Sequence, residues 1–258
     1  MPTLLFYKPY GMLSTFTDEG TGHPTLKACI PLPNVYAAGR LDRESEGLLL
    51  LTDDGDLIHR LTHPRYHLPK TYYVLVEGIP SEEALEKLRN GVVIRGYRTQ
   101  PAEVRIIPEP SLPPRPKPVT PHGPTTWLEI RLREGKKRQI RHMTAAVGLP
   151  TLRLVRVAIG PLTLEGLEPG RWRYLTPDEL RSLRALLAKA QPPSGSSRPE
   201  VAGAKAPSRS AKKGVKIRRS HGKAPTSGRL SRSQARKCRQ PLPSGSQSIP
   251  RPGATPRR

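Results

Sequence analysis

Apolar and polar positions divide the chain into short alternating runs and short helical stripes. Residues 3–7 read as a first strand, which Lys8-Pro9-Tyr10-Gly11 ends with two turn formers. A short helix is expected near residues 26–30, after a loop through Gly20 to Pro24. Residues 48–51 are four consecutive leucines, too short for a helix and apolar on both faces, so they predict a buried strand. Asp53-Asp54-Gly55-Asp56 then opens a helix that turns Leu57, Ile58 and Leu61 inward and stops at His63-Pro64.

Residues 70–76, Lys-Thr-Tyr-Tyr-Val-Leu-Val, carry the β-branched and aromatic residues of a strand. Ser81 is placed as an N-cap, with Glu82 and Glu83 at the positive end of the following helix and Gly91 as its stop. Strands are predicted over residues 92–95 and 102–107; residues 108–124 hold eight prolines, which excludes regular structure. That segment reads as an inserted loop, either extended toward a partner or a solvated connection.

Residues 127–133 alternate, placing Leu128, Ile130 and Leu132 on one face and Trp127, Glu129 and Arg131 on the other. A helix from about residue 138 to 147 carries Ile140, Met143 and Val147 as its stripe, and residues 152–159 and 172–175 complete the strands. Thr176-Pro177-Asp178-Glu179 is a capping box opening a last helix with Leu180, Leu183 and Leu187 inward. Strands dominate and helices lie outside them, so the class is α+β with a mixed, mainly antiparallel sheet flanked by helices.

Charge is unevenly spread. Residues 191–258 hold 17 of the 44 Lys and Arg residues with one acid, Glu200, and so carry +16 of the net +23. The same stretch has ten prolines, six Val, Leu or Ile residues and no aromatic residue, too little apolar surface to offset ordering entropy. The expected division is a folded domain over residues 1–190 and a disordered basic tail over 191–258 that contacts RNA without sequence preference. A solubilising extension is the plainer alternative for the tail.

Cys29 and Cys238 make neither a disulfide framework nor a metal-binding spacing, which fits a reducing compartment. No leader pattern and no apolar window near membrane-spanning length is read, so the protein is expected to be cytoplasmic, without membrane contact and monomeric. His59 and His63 are four apart but no Glu follows His59, and Asp53, Asp54 and Asp56 lack the distal Glu of a calcium loop. Neither group reads as a metal site.

The chemistry concentrates at Asp42, set between Arg40 and Arg43 just before the leucine run. A carboxylate among cations stays ionised and serves as nucleophile or base, although a structural ion-pair cluster at a turn explains the same three residues. Gly39-Arg40-Leu41-Asp42, followed by Ser45-Glu46-Gly47-Leu48-Leu49, Thr52 and Gly55, resembles the catalytic-loop motif of the RsuA-type pseudouridine synthases. Lys8-Pro9-Tyr10-Gly11, Lys70-Thr71-Tyr72 and Glu134-Gly135-Lys136-Lys137-Arg138-Gln139-Ile140-Arg141-His142-Met143 resemble the family's other motifs in order. The stretches Phe16-Thr17-Asp18-Glu19, Tyr36-Ala37-Ala38 and Gly148-Leu149-Pro150-Thr151-Leu152-Arg153-Leu154 are most like the large-subunit pseudouridine synthase E group. Many relatives begin with an S4-type RNA-binding domain, whereas this chain begins at the catalytic one.

The resemblance implies the pseudouridine synthase catalytic fold and isomerisation of a specific uridine in large-subunit (23S) ribosomal RNA to pseudouridine; the alternative, from a different class, is a non-catalytic RNA-binding or ribosome-assembly protein on the same fold. It implies Asp42 as the catalytic carboxylate, by attack at C1′ or removal of a ribose proton. Tyr72 would stack on the target uracil, with Tyr73 facing the other way. Arg141 would pair with Asp42, Lys136, Lys137 and Arg138 would contact phosphates, and Arg40 would fill the place of the extruded base. No metal, nucleotide or redox cofactor is implied, since electrons move only between two bonds of one substrate.

Overall fold

The computed structural model describes residues 1–18 and 20–190. The tail expected over residues 191–258, including Cys238, lies outside the described residues, as does Glu19. In chain order the strands are β1 (Thr3–Lys8), β2 (Tyr36–Ala37), β3 (Glu46–Thr52), β4 (Lys70–Glu77), β5 (Val93–Ile94), β6 (Tyr97–Arg98), β7 (Glu103–Ile107), β8 (Thr125–Leu132), β9 (Thr151–Ile159), β10 (Leu162–Thr163) and β11 (Trp172–Tyr174). The helices are α1 (Gly55–Thr62), α2 (Glu82–Asn90), α3 (Gln139–Ala146) and α4 (Pro177–Lys189), with single 3-10 turns at Leu26–Ala28 and Pro64–Tyr66.

One nine-stranded sheet runs β11-β1-β3-β9-β4-β8-β7, with β2 beside β3 and β10 beside β9. Every pairing in it is antiparallel except that of β3 with β9. The leucine run lies in β3, whose seven residues are all buried because both faces are covered. Leu48 and Leu50 join a core with α1 and α4, while Leu49 and Leu51 join another with Leu26, Ile30 and Val35. Each such leucine contributes roughly 1.5–3 kcal/mol by leaving water. A third core packs Tyr72, Val74, Leu128, Ile130 and Leu154 against Leu85 and Leu88 of α2 and Ile140 and Met143 of α3.

The caps form as the sequence requires: Asp54 accepts from Leu57 N, Ser81 from Ala84 N, and Thr176 with Glu179 makes the full capping box. Two features add to expectation. The strand read over residues 92–95 forms as β5, shortened to Val93–Ile94 and paired with β6 in a small hairpin, because Arg95 (φ 48°) and Gly96 (φ 81°) both adopt the left-handed conformation of a tight hairpin turn. Residues 108–124 form no helix or strand, yet they are more than a solvated connection. Pro113 O accepts from Arg153 Nη2 at 2.7 Å, His122 N donates to Glu77 Oε1 at 2.7 Å, and Arg115 lies 4.6 Å from the centre of the Tyr10 ring.

Candidate active site

Backbone pairing draws separate sequence motifs into one row across the sheet. Lys8 of β1 pairs with Gly47 of β3, Gly47 with Arg156 of β9, and Arg156 with Tyr72 of β4. The register of β4 on β9 shifts between Thr71 and Tyr72, so Tyr72 faces Arg156 rather than Val157. Such a bulge re-aims side chains, and here Leu154, Arg156 and Ile159 all face the same cleft despite the change of parity. Gly47 is required in this row: its φ is +110°, and a Cβ there would stand 2.3 Å from Arg156 O.

The Asp42 loop is clamped from two sides. Ser14 Oγ donates to Leu41 O at 2.7 Å and accepts from Leu41 N at 3.1 Å, while Gly11 N donates to Arg43 O at 2.9 Å. Lys8, fully buried, donates from Nζ to Met12 O at 2.7 Å, Pro9 O at 3.1 Å and Arg43 O at 3.3 Å. Burial pushes the Lys8 ammonium down to about 7, against the pull of the Glu46 and Asp42 carboxylates. On the other side Arg138 Nη1 donates to Glu44 Oε2 at 3.0 Å and Arg141 Nη2 to Glu44 O at 3.3 Å, joining α3 to the loop. The Arg138 hydrogen bond holds the Glu44 carboxyl below its usual range.

Between the α1/α4 core and the α2/α3 core the sheet floors a cleft of about 620 Å³. Asp42, Tyr72, Arg40, Lys136, Lys137 and Arg138 all line it, with Lys70, Arg133, His63 and His67. Its size lies within the roughly 300–1,000 Å³ of small-ligand sites and admits a nucleoside. Asp42 is half-buried, and among the described residues its carboxylate makes no hydrogen bond and no ion pair. Lys70, at the start of β4, is pushed down to about 8 by burial and then by the Arg156 guanidinium.

Six of the seven residues singled out in the sequence therefore share one cleft. Arg141 does not line it, and the ion pair expected between Arg141 and Asp42 is absent among the described residues. Its guanidinium instead donates to Glu44 O and to Thr151 O at 3.1 Å, because the helix carries it toward β9 and the back of the loop. Burial first, then Arg138, pulls Arg141 down from its ordinary value, opposed by Glu44 and Asp42. Arg138, expected free for phosphate, is paired with Glu44, and Lys136 Nζ sits 4.3 Å from the centre of the Tyr97 ring. Arg40 and Lys137 are exposed and unpartnered among the described residues.

Residues missed in the sequence are Lys70, Arg133, His63, His67 and above all Arg156. A signal for Arg156 exists: Arg153 and Arg156 stand three apart in the otherwise apolar run from Leu152 to Ile159, which places them on opposite faces of one strand. Both are buried. Two buried arginines in a central strand demand partners or a function.

The chain matches the family model described as RNA pseudouridylate synthase over residues 2–146. It is 53% identical over 185 residues to a protein of Xanthomonas campestris pv. campestris named Ribosomal large subunit pseudouridine synthase E, covering 70% of this chain and 97% of that one. Identity is 56% over 170 residues with the protein of the same name in Xanthomonas axonopodis pv. citri, covering 64% and 90%. It is 37% over 183 residues with Ribosomal large subunit pseudouridine synthase B of Bacillus subtilis, covering 70% and 71%. A solved structure titled a pseudouridylate synthase superposes with a TM-score of 0.60 at 30% identity, over 70% of this chain and 73% of that one. The fold is therefore that of the pseudouridine synthases, and the chain belongs to the RNA pseudouridylate synthase family.

Proposed function

We propose that this protein isomerises a specific uridine of large-subunit ribosomal RNA to pseudouridine, with Asp42 as the carboxylate that acts on the ribose. The observation that carries the reading is the unpartnered Asp42 carboxylate in a cleft shared with Tyr72 and rimmed by basic residues. The names of the relatives support ribosomal RNA of the large subunit as substrate. The target nucleotide leaves the stack and enters the cleft, since C1′ and C5 are inaccessible inside a helix. Asp42 then attacks C1′ or removes a ribose proton, the C1′–N1 bond breaks, and the base turns so that C5 rejoins C1′.

Tyr72 stacks on the uracil and limits its rotation. Arg141 holds the loop through Glu44 O and supplies positive potential behind the carboxylate. Arg40 takes the place of the extruded base, and Lys137, with Lys136 and Arg138, approaches the flanking phosphates. Residues 1–190 act as the catalytic domain, in the cytoplasm and as a monomer, while residues 191–258 add affinity for RNA without sequence preference. Among the described residues no helix is long and apolar enough to cross a membrane.

Asp42→Asn tests the reading. The variant should release no tritium from RNA labelled at C5 of uridine while still binding that RNA, and a map of ribosomal RNA from cells carrying it should lack the pseudouridine that the wild type makes. Turnover like that of the wild type would sink the assignment of Asp42.

A further inference from the structure

Arg156 is a buried cation without an acid. It is 3% exposed, on the central strand between the strand that follows Asp42 and the strand that carries Tyr72. Its Nε donates to Leu48 O at 2.8 Å, which fixes the plane of the guanidinium. Among the described residues its buried Nη2 has no hydrogen-bond partner and Arg156 makes no ion pair. Its ionisable neighbours include Lys8 and Lys70, two bases and no acid, and each has its ammonium pushed down by burial and by the Arg156 charge. A guanidinium in such a place is costly unless an anion joins it. The cleft it lines is the one in which Asp42 stands unpartnered among the described residues, and the register of β9 on β4 sets it directly opposite Tyr72.

Resting on the reading of this cleft as the uridine site, we propose that Arg156 is the donor that stabilises the uracil anion while the base is detached. When C1′–N1 breaks, the bonding pair stays on N1, and the base becomes a monoanion whose charge spreads over the two carbonyl oxygens. This holds whether Asp42 attacks C1′ or a ribose proton leaves first. Nη2 donates to a carbonyl oxygen of that anion, and a planar, permanently charged fork suits a planar acceptor. When C5 then bonds to C1′, the C5 proton departs and N1 gains one, so the base is neutral again and the contact weakens. Arg156 thus binds the detached base more strongly than bound uridine or product, and its contribution falls on the rate of the chemical step.

The test compares Arg156→Met with the wild type in single-turnover loss of the target nucleoside, read by chromatography of nuclease digests. Two RNAs are used, one with uridine at the target and one with 5-fluorouridine, whose detached base is the more stable anion. The expected result is a rate lower by about 10²–10³-fold on uridine RNA, the range for loss of one preorganised donor. RNA affinity should be unchanged and the deficit clearly smaller on 5-fluorouridine RNA. Arg156→Lys, which keeps the charge, should fall between them and carries the comparison should the Met variant fail to fold. A deficit equal on both RNAs, a wild-type rate, or a loss confined to RNA affinity overturns the inference. Wild-type protein that converts no uridine overturns the reading of the site, and the inference with it.

Discussion

Changing Glu46 to Gln tests the buried ion pair that ties β3, β9 and the proline-rich segment together. Arg153 Nε donates to Glu46 Oε1 at 3.0 Å and Nη2 to Oε2 at 2.9 Å, a bidentate pair whose side chains are 10% and 3% exposed. Nη2 also donates to Pro113 O. An amide at residue 46 leaves the guanidinium buried with one side-chain acceptor and a facing NH₂ donor. Breaking a buried pair from one side costs about 3–5 kcal/mol, roughly a fifth or more of the stability of an ordinary domain. Arg153→Met strands the carboxylate instead and should cost a similar amount. The double variant buries no charge at either position, so its loss should fall short of the sum of the single losses by at least about 2 kcal/mol. Urea unfolding followed by the fluorescence of Trp127 and Trp172 measures all three. A cycle additive within about 0.5 kcal/mol, or a Glu46→Gln loss below about 1 kcal/mol, would refute the claim that the pair is dry and coupled.

Gly47→Ala should cost more than about 3 kcal/mol, from strain at positive φ and from displacing the β9 backbone, and urea unfolding reads it. Glu179, held down to about 2 by its Arg173 hydrogen bond, contributes stability that is complete above its ordinary 4.5 and lost as pH falls toward about 2. Glu179→Gln should therefore cost about 1–2 kcal/mol at neutral pH after allowance for solvent screening, with the gap narrowing in urea titrations below pH about 4.5. Arg133→Gln and Lys137→Gln, which remove side chains unpartnered among the described residues, should each reduce the slope of log affinity against log salt by about one in filter-binding titrations. Removing residues 191–258 should lower that slope further and leave the unfolding transition of the rest unchanged.

The local rules carried far in this chain because turn, cap and apolar-run signals do not depend on distant contacts. Leu48 to Leu51 announced a strand covered on both faces, and Thr176 to Glu179 announced the start of α4 to the residue. What the sequence hid depends on neighbours far along the chain. Glu46 reads as part of a charged cluster at a strand mouth, yet lies buried because Arg153, on β9, reaches its carboxylate. Alternation separates Arg156 from Arg153, but that its face meets Gly47 on one side and Tyr72 on the other depends on pairings with β3 and β4 that no single strand encodes. Three of the four two-residue strands, β2, β6 and β10, form because a partner is already in place, so their own residues carry little signal.

The arrangement around Asp42 turns on where the cations of the cleft spend their hydrogen bonds. A carboxylate surrounded by free arginines would be taken up in a salt bridge, and that bridge would have to break before the oxygen reached a substrate. Several cations in and behind the cleft are tied elsewhere: Arg138 to Glu44, Arg141 to two backbone carbonyls, Lys8 to three, and Lys136 over a tyrosine ring. The two guanidiniums keep their charge near the cleft without closing on the carboxylate. Fixed cations of this kind supply a potential that needs little reorganisation as charge moves, which is the condition under which electrostatic stabilisation is largest. Glu44 is central to this division, since its carboxylate holds Arg138, the N-cap of α3, and its carbonyl holds Arg141 of α3. An acid two residues from the proposed reacting one thus serves the site by occupying its competitors.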